Sequence, residues 1–252
     1  MKRSNKGDTN MKNIEAAVKE CSNIVGQGNA FYYGNKNGEN DFKANSSNSN
    51  IVAVIRPNNR FEVQWCLQIA AANAITVYSI SRGYSMGFNS NQKANGHSIL
   101  IDLSRMDGII DFNERLFYIT VQPGVTISHF CQFLLRRGLD HYVALGRGPN
   151  ASLIGYYLEM DNAAYEYGGH LLHCGSLEVV LNSGEPMRIG FGHHKRELIT
   201  ERCREIMSRQ LDGQLAQLKN GIITEATFWL THFSLNSSRI SKKLQNWQIS
   251  QL

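Results

Sequence analysis

Tyr167–Gly190, YGGHLLHCGSLEVVLNSGEPMRIG, is the stretch on which the reading of the fold turns. Paired glycines open it as a turn. Leu177–Leu181 then reads as a strand, because Val179, Val180 and Leu181 are β-branched or apolar and turn residues bound them on both sides. Asn182-Ser183-Gly184 reverses the chain, and Pro186–Ile189 runs back along it as a second strand, with Glu178 and Glu185 flanking the hairpin.

Upstream of this hairpin, Ile14, Ala17, Val18, Cys21 and Val25 follow helical spacing, with Gly26 as the stop. Residues 34–50 are low-complexity and polar and read as a long loop. Ile51–Ile55 is a strand halted by Arg-Pro-Asn, Arg60–Asn73 a helix with Val63, Cys66, Leu67 and Ala70 on one face, and Thr76–Ile80 a strand, which makes a β-α-β unit. Strands are expected at Ser98–Leu103 and Phe117–Val121. A helix carries Ile127, Phe130, Cys131 and Leu134 inward as far as Gly138. Residues 140–176 read as irregular, Lys195–Leu218 as a long helix and Ile222–Leu230 as a last strand. This mixture of strands, helices and hairpins predicts an α+β fold with a mixed sheet.

The 252 residues suffice for one large domain or two small ones, and 42% hydrophobic with 19% charged residues is ordinary for a soluble globular chain. A net charge of +5, scattered apart from a short Ser-Arg-Ile-Ser-Lys-Lys cluster near the end, is only a weak argument for nucleic acid, which is not expected as a partner, and is compatible with an anionic ligand. Five widely spaced cysteines match reduced thiols in a cytoplasmic protein better than a disulfide framework. No apolar core follows the basic N-terminus and no run reaches membrane-spanning length, so neither a signal peptide nor a membrane segment is expected.

Ser79–Ser90, SISRGYSMGFNS, follows a strand and has the small residues and glycines that let backbone N–H groups cradle an anion; a surface turn is the plain alternative. Gly146-Arg-Gly-Pro-Asn-Ala151 matches a dinucleotide fingerprint by letter. It lacks the strand-to-helix context, and Pro149 removes an N–H that such a loop would use. His170, His173, His193 and His194 lack acidic partners at ligand spacing, so no metal site is expected.

The hairpin's pattern of Tyr-Gly-x-His, then Glu-Val-Val-Leu-x-x-Gly-Glu and Arg-x-Gly resembles the flavin domain of the vanillyl-alcohol oxidase / p-cresol methylhydroxylase family. So do Ile14–Tyr32, Ile51–Ser90, Ile101–Met106, Val121–Val125, Ser152–Gly155, and Asn220–Glu225 with Phe228–Leu230, in that order along residues 12–231. The resemblance implies an FAD-binding (PCMH-type) domain over 12–231, built from two α+β subdomains and split by the Ser81–Ser90 loop region. Residues 1–11 are then expected to be disordered, and residues 232–252 a short tail with the family's C-terminal cap domain absent.

By the same resemblance the cofactor is FAD. Ser81, Arg82, Gly83, Tyr84, Ser85 and Met86 form the pyrophosphate loop, and Ser152, Gly155 and Tyr156 lie along the diphosphate and ribityl chain, the Ser152 hydroxyl donating to phosphate. Glu159, Gly168 and Gly169 border the cofactor, and Ile222 packs near the adenine end. Tyr84 stands where the family has a cation, Asn89 and Ser90 where it has glycines, and Asp161 lies in a segment expected beside pyrophosphate. Each side chain so introduced weakens the grip on the cofactor where the backbone φ is positive. The implied activity is hydride transfer from a para-substituted phenol to flavin, incomplete without a cap. The alternative is a non-catalytic flavin-domain remnant, or a half-protein whose partner chain or second copy supplies the rest.

Overall fold

A computed structural model describes residues 5–32, 50–85, 97–139, 148–159, 174–190 and 221–230. Strands β1 (Ala30–Tyr32), β2 (Asn50–Ile55), β3 (Thr76–Ser81), β4 (Tyr84–Ser85) and β5 (His97–Asp102) form one sheet in the order β1-β2-β5-β3-β4. Strands β6 (Ile109–Asn113), β7 (Tyr118–Val121), β8 (Cys174–Leu181), β9 (Pro186–Gly190) and β10 (Gly221–Trp229) form a second, in the order β6-β7-β10-β8-β9. The first is mixed, with β2, β5 and β3 parallel and antiparallel strands at both edges. The second is antiparallel throughout. An α+β fold is therefore what the chain adopts, with two sheets rather than one.

Helix α1 (Asn5–Val25) buries Ile14, Ala17, Val18, Cys21 and Val25, the stripe read from the sequence. It begins at Asn5, so residues 5–11, expected to be disordered, join the helix that this stripe nucleates. Helix α2 (Arg60–Ala72) starts at Asn59, whose side chain accepts the Glu62 N–H at 3.0 Å while the Glu62 carboxylate accepts from the Asn58 N–H at 2.7 Å, a reciprocal cap. The β-α-β unit forms, but β5 inserts between β2 and β3. Val52–Ile55 and Ile99–Ile101 are buried as continuous runs, as central parallel strands require.

Helix α3 (Ile127–Leu135) turns Ile127, Phe130, Cys131 and Leu134 inward as expected. The structure departs from the sequence reading at residues 140–176. Leu153–Glu159 is a short helix, α4, and β8 reaches back to Cys174. Seven residues containing a glycine are too few to show a period, and burial of Leu153, Ile154 and Tyr156 stabilises α4 instead. The chain passes from the first sheet to the second between Asp102 and Ile109, not in the Ser81–Ser90 region. The helix expected at 195–218 and the tail at 232–252 lie outside the described residues.

The Asn-Ser-Gly turn of the β8–β9 hairpin forms with Gly184 at φ 84. The hairpin docks on α2, and the Gln64 Nε2 donates to the Gly184 carbonyl at 2.9 Å. Beneath this contact lies Glu178, 3% exposed. Its carboxylate accepts from Arg60 of α2 at 2.9 Å, from Arg188 of β9 at 2.7 Å and from the Thr224 hydroxyl of β10 at 3.0 Å. Burial alone would push the Glu178 carboxyl up; the hydrogen bonds from Arg188, Thr224 and Arg60 outweigh it and hold the group below the ordinary range. Neighbouring Glu225 is raised by burial and then by the Glu178 charge.

E178Q leaves two guanidinium groups without their anion. Because their side chains are 28% and 44% exposed, the expected cost at pH 7 is about 2–3 kcal/mol, below that of a fully buried pair. A depressed acid stabilises above its unfolded pKa and loses that contribution as pH falls through the folded value. Urea unfolding at neutral pH and near pH 3 should therefore show the gap between wild type and E178Q closing in acid.

Candidate functional site

Strand β3 delivers Ser81 to the end of the first sheet, and two residues reverse the chain into β4. Ser81 pairs with Tyr84 and Ile80 with Ser85, so Arg82 and Gly83 form a two-residue turn, both left-handed at φ 49 and φ 85. This is the primed geometry that suits the twist of a hairpin. Gly83 adopts it freely, whereas for Arg82 it costs roughly 1 kcal/mol. Among the described residues, the N–H groups of Arg82 and Gly83 have no backbone acceptor.

The side chains of Ser81 and Arg82 are tied back to the protein. The Ser81 hydroxyl donates to the Pro123 carbonyl at 2.8 Å, and the Ser152 hydroxyl donates to the same oxygen at 2.7 Å. Both serines are fully buried. The Gly155 N–H in turn donates to Ser152 Oγ at 3.2 Å. Arg82 folds back so that its Nε donates to the Gly124 carbonyl and its terminal nitrogen to the Ser104 carbonyl, each at 3.3 Å. Ser104 is anchored by its N–H to Asp102 at 3.0 Å, and Asp102 pairs with Arg56 at 3.3 Å.

Pro123 and Gly124 thus form a hub just beyond β7. Gly124 N–H donates to the Met106 carbonyl at 2.7 Å, and a Cβ at Gly124 would stand 2.5 Å from the Ser104 oxygen and 2.8 Å from that of Met106. On the far side, Leu153 N–H donates to Val125 at 2.9 Å and Ile127 N–H to Ala151 at 3.0 Å. These bonds lay residues 149–153 against the start of α3, whose first turn Thr126 caps through the His129 N–H. Helix α4 packs on β4.

Ser81 and Ser152 thus meet on Pro123, and α4, which carries Gly155, Tyr156 and, as its last residue, Glu159, packs on the strand of Tyr84 and Ser85 that follows the Arg82–Gly83 turn. Tyr156 is wholly buried, and Ile222 sits in the core of the second sheet opposite Val180. One expectation is corrected. The Ser152 hydroxyl proton goes to Pro123, not outward to phosphate, because a buried serine must satisfy its hydroxyl within the protein. Met86, Gly168 and Gly169, with Asp161 and the histidines at 170, 173, 193 and 194, lie outside the described residues. Sequence reasoning missed the hub. Gln-Pro-Gly-Val-Thr signals a turn before a helix, but nothing local tells that Pro123 accepts from serines 42 and 29 positions away. Among the described residues no three His, Cys, Asp or Glu side chains are grouped to hold a metal, and no helix is long and apolar enough to cross a membrane.

Residues 51–190, more than half the chain, match the family described as FAD binding domain. The 1'-carboxy-chondrochloren decarboxylase of Chondromyces crocatus is 33% identical over 181 residues, covering 71% of this chain and 34% of that one. The 4-cresol dehydrogenase [hydroxylating] flavoprotein subunit of Pseudomonas putida is 27% identical over 172 residues, covering 67% and 33%. The chain thus spans about a third of the length of these curated relatives. Among solved structures, substrate-bound p-cresol methylhydroxylase superposes with a TM-score of 0.64 at 21% identity, covering 87% of this chain and 44% of that one. The 4-ethylphenol oxidase of Gulosibacter chungangensis gives 0.66 at 21%, covering 87% and 43%. At that identity they show a shared fold.

The residues present suit FAD. A diphosphate needs donors that side chains do not obstruct, and among the described residues the two main-chain N–H groups of the Arg82–Gly83 turn meet no backbone acceptor, while the Ser81 and Arg82 side chains are tied to Pro123 and Gly124. G124A should test the hub directly. The added methyl meets two backbone oxygens that cannot rotate away, so a loss of about 2–4 kcal/mol is expected in chemical denaturation. S152A, which removes one of Pro123's two donors and leaves the Gly155 N–H without its acceptor, should cost a smaller 1–2 kcal/mol or so.

Proposed function

Because the chain belongs to the FAD binding domain family, of the p-cresol methylhydroxylase type, we propose that it is the flavin-carrying part of an oxidoreductase that removes a hydride from a para-substituted phenol. Its cofactor is FAD. The observation that carries the reading is the Arg82–Gly83 turn, whose N–H groups meet no backbone acceptor among the described residues while Ser81 and Arg82 bind the hub. These N–H groups, with the loop running on to Met86, take the diphosphate. Segment 152–156 lies along it, held in place by Ser152 rather than donating from it. The bound flavin supplies the electron-accepting chemistry; this chain's residues bind it, orient it and exclude water from one side.

The phenol enters the proposal from the names of neighbours. Two structures of this fold are named for p-cresol and 4-ethylphenol, and one relative is a cresol dehydrogenase, whereas the relative at higher identity is a decarboxylase. We propose further that the substrate cavity and its acid–base groups come from polypeptide outside this chain, as a continuation or a partner. Spanning a third of its relatives' length supports this, and so does the way the side chains around Pro123 are committed to one another. The four described cysteines are buried thiols outside any disulfide, which supports a reducing, cytoplasmic setting.

Visible spectra of the chain, incubated with FAD and then desalted, test the reading. A stoichiometric flavin band should survive desalting, and an anaerobic para-alkylphenol should not bleach it. A colourless protein overturns the flavin reading, and bleaching overturns the incompleteness. Retained flavin that no partner or longer chain renders reducible would favour the non-catalytic alternative.

A further inference from the structure

We propose that Arg82 is a positioning residue for the cofactor, strapping the two-residue turn to the carbonyls of Gly124 and Ser104 so that the turn's N–H groups stay aimed at the diphosphate. The inference rests on the flavin reading above and adds to it a role for this side chain that involves no contact with the ligand.

The backbone at 82 supplies the first reason. A primed two-residue turn favours Asn-Gly or Gly-Gly, and an arginine at φ 49 is the less stable choice for the hairpin itself. What arginine adds there is reach. Its guanidinium bonds to Ser104, which follows β5 of the first sheet, and to Gly124, which follows β7 of the second. Asparagine is too short to span either bond.

The second reason is the pairing with its neighbour. Ser81 and Arg82, adjacent in sequence, grip the adjacent carbonyls of Pro123 and Gly124. One attachment would leave the turn free to pivot about Ser81; two fix its direction. A donor pair held in direction before binding loses less entropy when the anion arrives.

Strapping and turn stability therefore pull opposite ways at this position, and R82N separates them. The variant should melt at or above the wild-type temperature, because the turn is relieved, yet bind FAD roughly tenfold more weakly as followed by flavin fluorescence. Amide exchange at Gly83 and Tyr84 in the FAD-free chain should speed up. R82K, which keeps a single donor, should fall between the two in affinity. R82N that binds FAD as tightly as wild type overturns the inference and leaves the flavin reading intact. A parallel loss of melting temperature and affinity also overturns it, since that marks a merely structural arginine. A wild-type chain that takes up no FAD overturns the flavin reading and this inference with it.

Discussion

One carbonyl oxygen, that of Pro123, carries more of this architecture than its size suggests. It accepts the hydroxyl protons of Ser81 and Ser152, so both of its lone-pair directions are used inside the protein. Ser81 ends a strand of the first sheet, Pro123 follows a strand of the second, and Ser152 opens the segment that leads into α4. Three distant stretches of chain thus meet on a single atom. Gly124, next in line, makes the meeting sterically feasible, because the Ser104 and Met106 carbonyls approach where any side chain would stand.

The buried Glu178 carboxylate does the corresponding work elsewhere in the fold, linking α2 of the first unit to β8, β9 and β10 of the second. Apolar residues of both sheets and of α1, α2 and α3 form one continuous core. Burial of that core is non-directional: it drives the two units together without choosing the angle at which they meet. Hydrogen bonds and ion pairs at fixed distances are directional and choose it. The isolation cost of Glu178 is met by three donors, so here a buried charge is compatible with stability, and losing the carboxylate would leave two guanidinium groups without it.

Much of this was legible in the sequence wherever the signal was local. The Val-Val-Leu strand and its Asn-Ser-Gly turn, the α1 stripe from Ile14 to Val25, and the α2 face all read out as periodicity and turn chemistry. The α+β class followed from them, and the order of motifs pointed to the flavin domain. What escaped was long-range or short. Insertion of β5 between β2 and β3 has no local signature, and α4 is too short to show a period. β1, β4 and β6 are edge strands of two to five residues, recruited by their neighbours rather than by their own propensity. Ser152 was found as a position but given the wrong donor direction, because sequence shows a hydroxyl without showing which way it faces.

The same geometry bears on how a substituted loop could keep the proposed purpose at position 84. Backbone strain penalises a side chain where φ is positive, and in this turn those positions are 82 and 83. Gly83 is retained. Tyr84 lies in β4, extended and paired with Ser81, a backbone that any L-residue adopts without strain. Recognition through main-chain N–H groups is indifferent to the identity of the residue that carries them, provided the turn is held. Charge at 84 can therefore be lost without loss of the donors. In the proposed reading the requirement moves from the residues that face the ligand to those that hold the turn, here Ser81, Arg82 and the Pro123–Gly124 hub.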